Sequence, residues 1–301
     1  MRTRTLLQFL GMGIIWGASF LFIKVGLTGV SFGQVAWARI LFGAIALAVI
    51  LAISRQRLPR DRAVWGHFAV LAIVNCVVPY LLFAWAEQYV TSSLASIYNA
   101  TTPIMTALMV TLAFRVEKLT GSQFFGVGLG IVGVVVVMAP WQHQLAGDLW
   151  GQLAMLGATL CYGFTFAYTR RFLHHRGLPG TTIAFGTIGL SAIIMLALTP
   201  LVAWHPVRLD IWVVGSLVLL GALGTGVAYV WSFNVMREWG PTNSSTVTYI
   251  TPVVGVVLGI VLLGESLSWN EPVGAVLVLV GILFTQRRLR LPVPGGAARA
   301  S

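Results

Sequence analysis

Ten stretches of about twenty mainly apolar residues, each closed by charge, proline or glycine, leave this chain few ways to fold. A stretch of that length crosses the hydrocarbon of a bilayer as an α-helix, the form in which every backbone polar group is bonded within the segment. The stretches lie at about 5–27, 33–54, 64–86, 92–114, 121–139, 149–171, 181–203, 210–235, 243–263 and 270–288. With 57% hydrophobic and 9% charged residues, the composition is one that no soluble single-core domain carries. The sequence predicts an all-α integral membrane protein of ten transmembrane helices.

A net charge of +11 would point to nucleic acid in a soluble protein, so its placement decides its meaning. Arginines and lysines gather at alternate ends of the spans: Arg2 and Arg4; Arg55, Arg57, Arg60 and Arg62; Arg115 and Lys118; Arg170, Arg171 and Arg176; Arg237; and Arg287, Arg288, Arg290 and Arg299. The opposite loops hold Arg208, with Lys24 and Arg39 near the outer ends of the first two spans. This asymmetry predicts that both termini are cytoplasmic. It assigns the basic surface to topology and anionic headgroups rather than to nucleic acid. The N-terminal stretch has no small-residue cleavage site and reads as a retained first helix. Cys76 and Cys161 fall within spans and build neither a disulfide framework nor a zinc site. The Gly/Pro/Ala-rich tail, 289–301, is expected to be a disordered cytoplasmic segment.

Two Thr-Pro steps stand inside apolar runs, in "TTPIMTALMV" and "ITPVVGVVLG". Pro103 and Pro252 are 149 residues apart, and Glu117 and Glu265 are 148 apart. At the same offsets Tyr80 pairs with Tyr229, Ser96 with Ser245, Thr102 with Thr251, Gly126 with Gly274 and Gly133 with Gly281. Duplication of a five-helix unit accounts for this register. Because five is odd, the copies insert in opposite orientations, giving repeats at 1–139 and 149–288 related by a pseudo-two-fold axis in the membrane plane.

"WGASFLFIK" in the first span, "SSLASIYNATTPIMTALM" in the fourth and "GES" after the ninth resemble the drug/metabolite transporter superfamily in its ten-helix, two-repeat, EamA-type branch. Within it the chain is most similar to exporters of aromatic and other amino acids. "CYGFTFAYTRR" departs from the Trp-Gly opening of the first span, which leaves the equivalence of spans one and six open. The resemblance implies alternating access, with spans three, four, eight and nine forming the central walls and spans one and six beside them.

A proline inside a helix frees the carbonyl four residues back, here those of Asn99 and Thr248. Those carbonyls either meet an ammonium group or are satisfied by the neighbouring Thr102 and Thr251 hydroxyls. Pro79, Pro103 and Pro252 are the expected hinges. The polar and aromatic side chains at membrane depth are Trp16, Ser19, Asn75, Tyr80, Tyr98, Asn99, Thr102, Tyr162, Phe166, Tyr229, Trp231, Thr246, Thr248 and Tyr249. Together they make the candidate substrate-binding set, while any one alone serves equally as packing. Lys24 and Arg39 are candidates to meet a substrate carboxylate, or else cationic anchors reaching the interface. No acidic residue occupies the middle third of a span, which favours facilitated diffusion over a carboxylate relay.

The spans hold no nucleophile with a base and no metal-ligand set, so no catalytic site, metal or cofactor is expected. The reading is a carrier of aromatic and other neutral amino acids, moved outward, with membrane lipids as its surroundings. Export or uptake of another small metabolite or drug, with or without proton coupling, is the alternative. A scaffold or an intramembrane enzyme is the reading from another class. The glycines of "GVGLGIVG" are expected to seat the fifth helix within its own bundle, favouring a monomer.

Overall fold

The computed structural model describes residues 3–56, 58–115, 119–141, 145–173 and 176–289, with backbone alone for 145–148, 233, 236–237 and 240–245. Arg2, Arg57, Glu117, Lys118, His174, His175 and the tail from 290 onward lie outside the described residues. Those described form ten helical rods and no strand. They are α1 (Thr3–Gly26), α2 (Phe32–Ser54), α3 (Arg62–Ala86), α4 (Ser92–Asn99, then Thr102–Leu108 and Met109–Ala113) and α5 (Gly121–Met138). The second five are α6 (Leu145–Phe172), α7 (Gly180–Ala197, with a further turn Thr199–Val202), α8 (Ile211–Leu219, Leu220–Val227 and Ala228–Ser244), α9 (Ile250–Leu263, entered through Ser245–Tyr249) and α10 (Asn270–Thr285). Seven stretches among the described residues have the length and hydropathy to cross a membrane, and α10 is a shorter apolar helix.

Helix starts follow local chemistry. Ser31 and Gln34 form a reciprocal capping box on α2, and Thr120 and Gln123 repeat it on α5. Asp61, Thr91 and Asp210 accept amide hydrogen bonds at the starts of α3, α4 and α8. Two boundaries differ from the sequence reading. The α4 rod breaks at Ala100–Thr101, ahead of Pro103, and α8 continues past Trp231 to Ser244 without a loop before α9. Charge at Arg237 and Glu238 ends an apolar span, but it does not end a helix that has left the hydrocarbon.

The inverted relation of the repeats is visible in the contacts of equivalent helices. Gly126 meets Gly281 and Gly133 meets Gly274, so α5 and α10 run antiparallel. Gly255 meets Ser96 and Gly259 meets Ser93, which sets α4 and α9 antiparallel. Gly33 lies against Val202, and the Trp37 indole donates to the Thr199 hydroxyl at 2.9 Å, giving the same sense to α2 and α7. Three helices therefore pack head-to-tail against their own repeat mates, as a two-fold axis in the membrane plane requires.

Small residues make these approaches feasible. A Cβ on Gly133 would lie 2.7 Å from the Val278 amide nitrogen and 2.9 Å from the Gly274 carbonyl, both rigid backbone atoms. Gly126, Gly130 and Gly133 of α5 thus pack inside one chain. Gly17 and Gly163 answer the open question about α1 and α6. A Cβ on Gly17 would come within 2.6 Å of Val254 Cβ, and one on Gly163 within 2.6 Å of the Met105 carbonyl carbon. Met105 and Val254 stand at the repeat offset, so "YG" in α6 occupies the place of "WG" in α1.

The backbone widens at matching places, Ala72–Val77 in α3 and Leu220–Val227 in α8, where i→i+5 hydrogen bonds replace the usual pattern. Val78 N–H reaches Ile73 O, and Ala228 N–H reaches Leu223 O. Pro79 follows the first bulge, but the equivalent residue in α8 is Ala228, so proline is not the common cause. Each inserted residue turns the remainder of its helix by about 100°, which re-aims the tyrosines one turn later.

Replacing Gly133 by Ala should lower unfolding stability in detergent by about 1–3 kcal/mol through overpacking against α10 backbone. A methyl group on Gly128 would meet nothing within 4 Å, so Gly128→Ala should leave stability equal or raise it by up to about 1 kcal/mol. Thermal unfolding of the two variants side by side checks the pair.

Candidate functional site

Tyr80 and Tyr229 pair in sequence as repeat mates, and their hydroxyls meet at 3.1 Å. A residue that touches its own repeat mate lies on the axis relating the repeats, so this contact marks the centre of the molecule. Asn75 donates from Nδ2 to the Tyr229 hydroxyl at 3.3 Å. Arg39, 8% exposed, lays its guanidinium over the Tyr80 ring, 3.9 Å from the centroid, and donates from Nε to Thr225 Oγ1 at 3.1 Å. Among the described residues this is its one hydrogen bond, and no carboxylate lies within 4.0 Å. Of the five guanidinium N–H donors, one is committed.

Aromatic rings enclose this polar centre. Trp16 stands edge-on to Tyr229 with centroids 6.2 Å apart and donates from its indole to Gly224 O at 3.1 Å. That carbonyl belongs to the α8 bulge, where the widened helix presents it. Tyr162 stacks on Phe83 at 6.0 Å, and Phe20 meets Phe83 edge-on at 5.7 Å. Ser19 is buried beside Gly224, its hydroxyl returned to Ile15 O. The residues brought together are thus Trp16, Ser19, Arg39, Asn75, Tyr80, Tyr162 and Tyr229.

The remaining sequence candidates have other neighbours. Tyr98 is buried and donates to Gln152 Oε1 of α6 at 2.9 Å. The Thr102 hydroxyl donates to Asn99 O at 2.8 Å, and the Thr251 hydroxyl to Val247 O at 3.3 Å. The carbonyl freed by Pro103 is therefore satisfied by its own threonine, leaving one lone pair for another donor. Pro79 and Pro252 are buried within α3 and α9. Trp231 packs over Gly11 and borders a cavity of about 520 Å³ with Thr3, Arg4, Leu7 and Gln8, away from the tyrosine pair. Tyr249 donates to Gln286 at 2.7 Å, with Thr246 and Thr248 half-buried beside it. Phe166 is 48% exposed and shares none of the ring contacts that gather the central aromatics.

Lys24 does not extend to an interface. Its Nζ donates to Glu87 O at 2.6 Å and Val90 O at 2.8 Å, binding the carbonyl end of α3. This is the distal end of the bundle, opposite the start of α1. There Gly264, at φ +66, turns the chain after α9, and Glu265 folds onto the start of α4. Its carboxylate accepts from the Ser92 amide at 2.7 Å, the Ser93 amide at 2.9 Å and the Ser93 hydroxyl at 2.6 Å. Burial alone would raise its pKa, but the hydrogen bonds from Ser93 and Ser92 prevail and hold it below the ordinary carboxylate range. This clasp seals α4 against α9 at the distal end. The matching backbone turn in the first repeat is at Arg115, with φ +49, while Glu117 itself lies outside the described residues.

Sequence reasoning passes over Thr225, Phe83, Gln152 and the clasp. Thr225 carries a signal, because it stands 149 residues after Cys76 and four before Tyr229, as Cys76 stands four before Tyr80. Phe83 and Gln152 carry none beyond composition.

Two inverted five-helix repeats around a polar, aromatic centre define a multi-pass membrane transporter. The model of the EamA-like transporter family matches residues 3–139 and 149–287, one match for each repeat. The chain belongs to the EamA-like transporter family. It is 27% identical to the uncharacterized inner membrane transporter YedA of Escherichia coli strain K12, over 97% of this chain and 95% of that one. It is 25% identical to the probable terminal-alkyne amino-acid exporter of Streptantibioticus cattleyicolor, over 91% of each chain. A solved crystal structure has the same fold at a TM-score of 0.67 and 18% identity, over 96% of this chain and 100% of that one.

Tyr229→Phe should cost about 1–3 kcal/mol, because it leaves the buried Tyr80 hydroxyl and the Asn75 amide without this partner, and Tyr80→Phe should cost less, because the Tyr229 hydroxyl keeps the bond from Asn75. The double variant should cost less than the two together by about 0.5–3 kcal/mol. A double-mutant cycle on unfolding in detergent measures this, and additive losses would show that the two hydroxyls do not act as a pair.

Proposed function

We propose that this protein is an inner-membrane carrier, with both termini cytoplasmic, that exports aromatic and other neutral amino acids by facilitated diffusion. The observation that carries the reading is Arg39, a buried guanidinium with no carboxylate partner among the described residues, held against a tyrosine on the repeat axis. A buried cation of this kind favours an anionic partner, and its planar fork suits a carboxylate with two parallel hydrogen bonds. The rings of Trp16, Tyr80, Tyr162 and Phe83 offer faces and edges to an apolar or aromatic side chain. The tyrosine hydroxyls are acceptors for an α-ammonium group. One relative of this chain carries the name of an amino-acid exporter, which agrees with this chemistry.

Alternating access follows from the symmetry. Rocking the repeats about the Tyr80–Tyr229 contact exchanges the environments of equivalent helices, so a seal at one end is relieved as its counterpart forms. The Glu265 clasp corresponds to the distally closed arrangement. Facilitated diffusion fits the chain because no acidic residue occupies the middle third of a span.

The test is efflux of radiolabelled Phe, Met, Thr and Glu from preloaded proteoliposomes, with and without an imposed pH gradient. Efflux of Phe, Met and Thr should exceed that of Glu and should not require the gradient. Arg39→Gln should cut Phe efflux at subsaturating substrate by about 30-fold or more, in line with about 2–5 kcal/mol for truncating one partner of a buried charge pair. Phenethylamine, which lacks the carboxylate, should be carried no better by the parent than by Arg39→Gln. Folded protein that moves none of the four amino acids would reassign the site to another small metabolite.

A further inference from the structure

The distal seal buries a carboxyl group that transport through the central cluster does not use. Glu87 caps the end of α3, is 0% exposed, and neither of its side-chain oxygens has a hydrogen-bond partner. Lys24 is the natural counterion, yet its ammonium is spent on the backbone carbonyls of Glu87 and Val90. Among the described residues no cation lies within 4.0 Å of the Glu87 carboxylate. Five residues on, the clasp of Glu265 on Ser92 and Ser93 closes over the same corner.

An ionised carboxylate stripped of water, hydrogen bonds and a contacting cation is strongly disfavoured, so the sealed arrangement selects the neutral acid. The charged groups facing it come from three directions: Lys24 from α1, Arg39 from α2 and Glu265 after α9. The α6 residue packed against this corner, Gly151, brings no charge, and the Asp148 side chain lies outside the described residues. We propose that Glu87 is a proton-operated switch on the distal gate: the gate seals over its neutral form and is released when it ionises.

Opening the distal end parts Glu265 from Ser92 and Ser93 and admits water to the 87–91 turn, where the carboxylate is solvated. The proton leaves to the distal compartment and returns from it on closing. Because it enters and exits on one side, it sets the rate of the carrier without driving uphill transport, which is compatible with facilitated diffusion. Burial pushes the Glu87 carboxyl well above the ordinary carboxylate range, opposed by Lys24, with Glu265 adding to the rise and Arg39 opposing it. Because the closed state has the raised pKa, closure is fully favoured at pH below the carboxyl's solvated value and is lost as pH rises through its closed-state value.

The measurement is the separation of spin labels on Gln88→Cys and Ser266→Cys, both exposed, in a Cys76→Ala/Cys161→Ala background in lipid nanodiscs between pH 5 and pH 9. A short separation should prevail at low pH and give way to a longer one, the ratio changing by up to about tenfold per pH unit for one proton. Glu87→Gln, which keeps the neutral shape, should hold the short separation throughout. Lys24→Met, which removes a cation favouring ionisation, should move the transition to higher pH. A distribution in the parent that ignores pH, or a Glu87→Gln variant that titrates like the parent, would overturn the proposal. So would accumulation of substrate driven by an imposed pH gradient. The label readout needs no substrate, so it stands or falls separately from the amino-acid assignment.

Discussion

Inside a bilayer the backbone has no water to bond with, and each feature of this chain that departs from a plain helix answers that constraint. The bulges of α3 and α8 keep their hydrogen bonds by reaching back five residues instead of four. At Pro103, where the ladder loses a donor, the Thr102 hydroxyl bonds the Asn99 carbonyl. The C-terminal carbonyls of α3 are met by Lys24, and the N-terminal amides of α4 by Glu265. Polar groups within the spans are thus placed by backbone demands first. The central tyrosines and Arg39 are what those demands leave over: their polar atoms bond other side chains instead.

Duplication adds a second constraint. An inverted pair of repeats creates an axis, and the few side chains that straddle it contact their own equivalents. Tyr80 and Tyr229 do so through their hydroxyls, while α5 and α10 cross the axis backbone to backbone, Gly126 against Gly281 and Gly133 against Gly274, two contacts that are each other's equivalents. The two contacts differ in kind. The glycine seam brings backbone against backbone and tolerates little sliding, whereas the tyrosine pair joins helices through hydroxyls at the tips of long side chains. The chain thus joins its repeats by a firm contact and a yielding one.

Much of this is legible in the sequence. Periodicity of charge marks the rods to within a few residues except where α8 runs on toward α9, and the 149-residue offset marks the pairing that the contacts display. Other features are hidden for physical reasons. Arg39 and Lys24 look like anchors because a sequence reports the distance of a residue from its helix end, not the direction of its side chain. Both turn inward, one to a tyrosine face and one to carbonyls. Gly163 escapes notice because its neighbour is Tyr162 rather than tryptophan, although close approach depends on the missing Cβ and not on that neighbour. The continuous run of α8 toward α9 is invisible in sequence because span boundaries follow hydropathy while helices follow hydrogen bonds.

Two of the distal glutamates, Glu87 and Glu265, make the same point in chemical terms. Both end a span, and a count of acidic residues at helix ends treats them alike. Glu265 meets three donors at a helix start, where ionisation is favoured despite burial. Glu87 sits at a helix end among carbonyls, where the backbone offers no donor and the nearby ammonium bonds the main chain. Burial and helix polarity together separate these environments: Glu87 is fully buried and Glu265 partly so, and amides face outward at one helix end and carbonyls at the other. An antiparallel bundle places both kinds of end side by side at each face of the membrane. Two carboxyls a short distance apart can therefore hold opposite protonation states at one pH, one serving as a clasp and the other as a sensor of whether the clasp is closed.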